Sequence, residues 1–104
     1  MDTDWPAIAH QAHYRVAGLV ELYGKERLWV WRLWRRECGC SPKVWLEELR
    51  AQAAARLAVA GLKTEEIATS LFYADASHLT HDFRQRFGQP IRRYRAARRG
   101  RPDH

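Results

Sequence analysis

The chain has 104 residues, 46% of them apolar, with 18 Lys and Arg against 12 Asp and Glu. That length supports one compact domain, or two small subdomains sharing an element, and the net charge of +6 favours a polyanionic partner. No apolar run approaches the roughly 20 residues that span a bilayer, and the opening MDTDWPAIAH lacks a signal-peptide pattern, so the sequence predicts a cytoplasmic protein with no membrane partner.

The punctuation is helical from the start. Asp4 as N-cap, or Pro6 in the first turn, opens a first helix. A short second helix is predicted over Val16 to Tyr23, stopped by Gly24. A third runs from about Arg27 to Cys38 and ends at Gly39. Ser41 and Pro42 form an N-cap and N1 pair that opens a long helix closed by Gly61. Its apolar stripe is read as Trp45, Leu49, Ala53 and Leu57, widened by Leu46. Thr64 is the expected cap of the next helix, with Glu65 and Glu66 at its positive end. Asp75 caps a helix from Ala76 to Phe87, closed by Gly88, and a last helix follows Pro90. No stretch alternates with period two for long enough to make a strand. The expected fold is all-α, about seven helices, with a frayed basic tail at 99–104.

Two segments repeat. Val30, Arg32, Trp34, Arg35 and Gly39 correspond to Leu79, His81, Phe83, Arg84 and Gly88 at a constant offset of 49 residues. Such a repeat is one supersecondary unit used twice. At 100° per residue, Val30, Leu33 and Trp34 fall on one face of the first copy, with Leu28, Arg32, Arg35 and Arg36 opposite and Trp29 and Trp31 at the borders. In the second copy Leu79, Phe83 and Phe87 form the apolar stripe, and His78, His81, Arg84 and Gln85 lie away from it. Each copy is therefore a short helix, a tight turn and a second helix with an apolar back and a hydrogen-bonding face. That is the helix-turn-helix outline, whose second helix enters the major groove.

The stretch TEEIATSLFYADASHLTHDFRQRFGQPIRRYR, Thr64 to Arg95, together with WRLWRRECGCSPKVWLEELRAQAAARL, resembles the DNA-binding domain of AraC/XylS-type bacterial transcription regulators. The similarity runs from about Val16 to Arg95. It implies two helix-turn-helix subdomains, 1–41 and 61–98, joined by a linker helix, 42–60. That helix would be about 28 Å long, against the ~34 Å recurrence of the major groove. One chain would then read two successive grooves as a monomer.

The resemblance also implies the contacts. Arg27, Leu28, Trp31 and Arg32 would face bases in the first copy, and Ala76, Ser77, His78, Thr80 and His81 in the second. Arg35, Arg36, Arg84 and Arg86 would approach phosphates. The C-terminal arginines Arg92, Arg93 and Arg95 are read as further phosphate contacts, and those beyond them as solvated. Four positions depart from the family pattern. His81 stands where arginine is usual, Phe72 where a turn glycine is frequent, Glu26 replaces a serine cap, and Pro90 sits one position early. Because a bulky residue at positive φ is strained, the turn at Phe72 is expected to differ.

The expected function is sequence-specific binding of double-stranded DNA that regulates transcription in the bacterial nucleoid, with RNA polymerase or another regulator as a further partner. No ligand-sensing domain, small-molecule ligand or cofactor is expected. No catalytic constellation is present, so an enzyme is not expected. Cys38 and Cys40 match no zinc spacing and are read as reduced thiols. The alternative is a protein-interaction module that uses an exposed tryptophan patch on the same fold.

Overall fold

The computed structural model describes residues 3–99, and every regular element among them is an α-helix. Seven follow in order: α1 (Trp5–Gln11), α2 (Val16–Tyr23), α3 (Arg27–Cys38), α4 (Pro42–Ala60), α5 (Thr64–Ser70), α6 (Ala76–Phe87) and α7 (Ile91–Arg99). Residues 100–104 of the expected frayed tail lie outside the described range.

Most helix starts use the expected caps. Asp4 Oδ1 accepts from the Ala7 N–H at 3.1 Å, Ser41 Oγ from the Val44 N–H at 3.3 Å, and Asp75 Oδ1 from the His78 N–H at 2.8 Å. Each satisfies one of the donors a helix leaves open at its start. Thr64 is a correction. It is the first helical residue of α5, and Lys63 stands at the cap. The Glu66 carboxylate reaches back to accept from the Lys63 N–H at 2.8 Å, so the cap is made from inside the helix rather than in front of it.

The chain forms two compact units that divide between Arg50 and Ala51, within α4. The first half of α4 belongs to unit 1 and the second half to unit 2. The line of deepest burial along this helix is also a correction. Leu46, Ala54 and Ala58 are the most buried, while Trp45, Leu49 and Leu57 from the expected stripe are only half-buried. The helix wheel was one position out because five alanines, Ala51, Ala53, Ala54, Ala55 and Ala58, are all buried, and the pattern gave small residues little weight.

The core of unit 1 is Ala9, Ala12, Leu19, Val30, Trp34 and Leu46. Trp34 is its hub. Its ring meets Trp5 at 5.6 Å, Tyr23 at 5.5 Å and Trp45 at 5.2 Å, each edge to face. Such pairs add about 0.5–1.5 kcal/mol each beyond the area they bury. In unit 2, Ile67, Ala68, Leu71, Tyr73, Leu79, Phe83 and Ile91 are buried.

The 49-residue repeat holds in three dimensions. Helices α3 and α6 are both 12 residues long. Val30 and Leu79 are fully buried at matched positions, as are Trp34 and Phe83. Both helices end on a left-handed glycine, Gly39 and Gly88, whose N–H donates to the Arg35 and Arg84 carbonyl respectively. The following helix matches as well. Trp45 lies 5.2 Å from Trp34, and Tyr94 lies 5.2 Å from Phe83.

The turns before α3 and α6 share their hydrogen bonds too. Lys25 N–H donates to the Val20 carbonyl and Gly24 N–H to Glu21; Tyr73 N–H donates to Ala68 and Phe72 N–H to Thr69. Gly24 has φ +63° and Phe72 has φ +62°. The turn at Phe72 was expected to differ; instead the bulky residue takes the conformation glycine takes in the first copy. The second turn carries one more residue before its helix begins.

Two stability outcomes follow. A Cβ on Gly18 would lie 2.0 Å from the Ala12 carbonyl oxygen, a contact with backbone that no rotamer relieves. Gly18→Ala should therefore destabilise the fold by at least the ~1–3 kcal/mol typical of overpacking, read as a lower urea midpoint. An unchanged midpoint would mean that α1 and α2 do not approach as described. At position 72, Phe72→Gly should be more stable than Phe72→Ala by about 1 kcal/mol, the left-handed cost of a Cβ. Equal thermal midpoints for the two variants would place position 72 outside the left-handed region.

Candidate nucleic-acid interface

The α3 helix is held by Val30 and Trp34 from behind, with Leu33 half-buried beside them. This leaves Arg27, Leu28, Trp31, Arg32, Arg35 and Arg36 exposed. All six sequence-predicted residues of the first copy are thus brought to the surface of one short helix. The face is not a set of independent side chains. The Arg35 guanidinium lies 5.1 Å over the Trp31 ring, so the tryptophan carries the cation. Arg36 Nε pairs with the Glu37 carboxylate at 3.1 Å, and both side chains are well exposed, so this tie is weak. Of the two border tryptophans only Trp31 belongs to this group. Trp29 leans back on Tyr23 at 5.8 Å and has the Lys25 ammonium over its ring at 5.5 Å. Glu26 stands at the N-cap of α3 and makes no side-chain cap bond, so the serine-to-glutamate departure leaves this helix start without the cap that Asp75 gives α6.

Burial pushes the Tyr23 hydroxyl above its ordinary range. Burial also pushes the Cys38 thiol up, assisted by the neighbouring Cys40 and Glu37. Both cysteines are free thiols, and Cys38 packs against the unit 1 core. Among the described residues no group of three or more His, Cys, Asp or Glu side chains is placed to hold a metal ion.

The start of α6 is built differently. Ser77, His78, Thr80 and His81 are exposed and Ala76 is half-buried. Several of these groups are engaged with their own turn. His78 Nδ1 accepts from the Ala74 N–H at 3.2 Å, and the His78 ring meets Tyr73 edge to face at 5.1 Å. The Thr80 hydroxyl donates to the Ser77 carbonyl at 3.1 Å. The Tyr73 hydroxyl lies 3.3 Å from Asp82 Oδ2, and Asp82 Oδ1 pairs with Arg86 Nε at 3.6 Å. Arg86 is therefore tied into the support of the turn. Beyond it, His81, Arg84 and Gln85 line a shallow depression of about 410 Å³.

The C-terminal arginines separate into two kinds. Arg92 and Arg93 are exposed on α7. Arg95, also expected at phosphate, is placed differently. It is half-buried, its Nη2 donates to the Leu62 carbonyl, and its Nε is buried. Its position makes it a tie between α7 and the segment before α5. Arg98 stacks on the Tyr94 ring at 3.8 Å.

Sequence reasoning missed Asp82, Tyr73 and Lys25. None belongs to the repeat. Asp82 with Arg86 and Lys25 with Trp29 are four residues apart, a spacing that could have signalled them, whereas Tyr73 reaches Asp82 nine residues on, beyond any helix spacing. Gln85 was placed on the polar face but assigned no contact.

The sequence model of a family described as a helix-turn-helix domain matches residues 30–97. The match opens inside α3 and reaches into α7, leaving Arg27 and Leu28 before its start. No curated protein and no solved structure matches the chain.

The pairing of Arg35 with Trp31 sets an expected outcome. In a double-mutant cycle of nucleic-acid affinity, Trp31→Ala and Arg35→Ala should be non-additive by about 0.5–1 kcal/mol, the worth of an exposed cation–π contact. Trp31→Ala should leave stability within about 0.5 kcal/mol, whereas Trp34→Ala should cost about 3–5 kcal/mol. Additive losses in the cycle would show that Arg35 does not rest on Trp31 when bound.

Proposed function

The chain belongs to the AraC/XylS-type helix-turn-helix family of DNA-binding transcription regulators, and we propose that it reads double-stranded DNA with two recognition helices, α3 and α6, set into successive major grooves by a single chain. The observation that carries this reading is the matched construction of the two units. Both helices are buried at the same two positions and capped by the same left-handed glycine, and both leave a hydrogen-bonding face exposed. One continuous helix, α4, contributes to both units. A chain that already holds two recognition helices does not need a second copy to contact two grooves.

The two faces differ in chemistry, which supports a division of labour. The α3 face offers Arg27, Arg32, Arg35 and Arg36 beside Trp31. A guanidinium can pair two-pronged with guanine O6 and N7, the commonest specific contact. Arg32 lies mid-face and is the residue we assign to base discrimination. Arg35 and Arg36 follow it along the helix toward the phosphates. In unit 2, Ala76, Ser77, His78, Thr80 and His81 present fewer two-pronged groups. Arg84, Arg86, Arg92 and Arg93 add positive charge, which positions the protein without reading sequence. RNA polymerase or a second regulator is the protein such a complex would meet at a promoter. An interaction module built on exposed tryptophan differs in its response to salt. Affinity for DNA falls steeply as salt rises because counterions are released, while an aromatic interface is little affected.

Selection of sites from random DNA, followed by footprinting and stoichiometry, tests the reading. The expected motif has one information-rich half and one weaker half, centred about one helical turn apart, bound by one chain. Arg32→Ala should cost about 1–3 kcal/mol on that site and relax one position of the stronger half. Equal losses on specific and random DNA would reduce Arg32 to a phosphate contact. Protection of a single groove, or a strict requirement for two chains, would refute the two-groove reading itself.

A further inference from the structure

The support of the α6 turn fixes more than a backbone. A neutral imidazole has one donor nitrogen and one acceptor nitrogen. In unit 2, His78 Nδ1 is the acceptor of the Ala74 N–H, at 3.2 Å. A nitrogen that accepts there carries no proton, so the proton of the neutral ring sits on Nε2, at the far side of the ring from Ala74. The ring has one further contact, and its backbone is fixed as well. Tyr73 packs against it edge to face at 5.1 Å and 80°. Asp75 Oδ1 accepts from the His78 backbone N–H at 2.8 Å. The side chain is nonetheless exposed.

We propose that His78 is a donor-only reader of the base edge, whose Nε2–H selects a purine N7, guanine before adenine, in the DNA half-site facing α6. This rests on the reading of α6 as a recognition helix. The choice of acceptor follows from the groove chemistry. Guanine presents two acceptors, N7 and O6. Adenine presents one acceptor beside a donor, thymine presents one acceptor, O4, beside a methyl group that crowds it, and cytosine presents only the N4 donor. A ring that can only donate therefore rejects cytosine and ranks guanine first. The neighbouring hydroxyl has the opposite bias. Thr80 spends its proton on the Ser77 carbonyl, which leaves it an acceptor toward any ligand. His78 thus places a committed donor two residues in sequence from a committed acceptor, Thr80. Its turn contacts hold the ring before DNA arrives, so little rotamer entropy is lost on binding.

The experiment uses the full chain and its selected site. Purines of the weaker half-site are replaced one at a time by their 7-deaza analogues, which put C–H in place of N7. Affinity is measured for the wild type, His78→Ala and His78→Asn. Asparagine keeps an acceptor near the Nδ1 position for the Ala74 N–H, and its own amide donor stops about an ångström short of the Nε2 position, so it separates loss of reading from loss of the turn. Thermal melting of each variant checks the fold. One 7-deazaguanine should weaken the wild type about three- to tenfold, the worth of one hydrogen bond. The same substitution should change neither variant further. The proposal is overturned if no 7-deaza purine weakens the wild type more than about twofold, or if His78→Asn is as sensitive as the wild type. A wild-type chain that selects no site at all would overturn the two-groove reading and this proposal together. A normal two-part motif that ignores every N7 would overturn this proposal alone.

Discussion

A helix of twelve residues is marginal in water by itself, and the two repeated helices of this protein, α3 and α6, are that length. Their outward faces are polar or charged and contribute little to holding them. Everything therefore depends on the ring buried at the middle of each, Trp34 in α3 and Phe83 in α6. Each ring is gripped by an aromatic residue of the next helix at the same distance, Trp45 and Tyr94. A fully buried side chain of this size contributes about 1.5–3 kcal/mol by burial alone, comparable with the deficit of an isolated short helix. The exposed face is free to vary because the buried one does the holding.

The turn before each of these helices is under a related constraint. It must reverse the chain so that the buried ring faces the core, and both copies do so through a left-handed residue. Gly24 adopts that conformation without a Cβ in the way. Phe72 does so at a cost of about 1–2 kcal/mol. Unit 2 tolerates the strain because the same turn is tied by the Tyr73–Asp82, His78–Ala74 and Asp75–His78 hydrogen bonds. Unit 1 has no strained side chain in its turn, and Glu26 forms no cap there.

Much of the fold was legible in the sequence because punctuation is local. Asp4, Ser41 and Asp75 cap, and Gly24, Gly39 and Gly88 stop, with partners only three or four residues away. The constant 49-residue offset carried the rest, since it aligned buried Val30 and Trp34 with Leu79 and Phe83 before any contact was known. What escaped depended on how elements pack. The close approach of Ala12 to Gly18, the capture of Arg95 by the Leu62 carbonyl and the deep alanine line of α4 are all properties of packing. Of the site, Leu28, Arg32, Arg35, Arg36, His78, His81 and Arg84 were readable as outward-facing from the helix wheel, and Arg27, Trp31, Ser77 and Thr80 only from the resemblance. Which of their hydrogen bonds are already spent was not.

That last distinction separates the two faces physically. In α3 the arginines are long and fully charged; one of them rests on Trp31, and another is paired only with exposed Glu37. They lose considerable freedom when they dock, but their charge acts over about a Debye length, ~10 Å at moderate salt. In α6 the short side chains are already engaged, with His78 bonded to Ala74 and Thr80 bonded to Ser77. They lose little freedom on docking, but act only within hydrogen-bond reach and with a polarity set in advance. A mobile charged face acts at long range but must be ordered on contact, and a pre-engaged face acts only at contact distance but with its hydrogen-bond polarity already set.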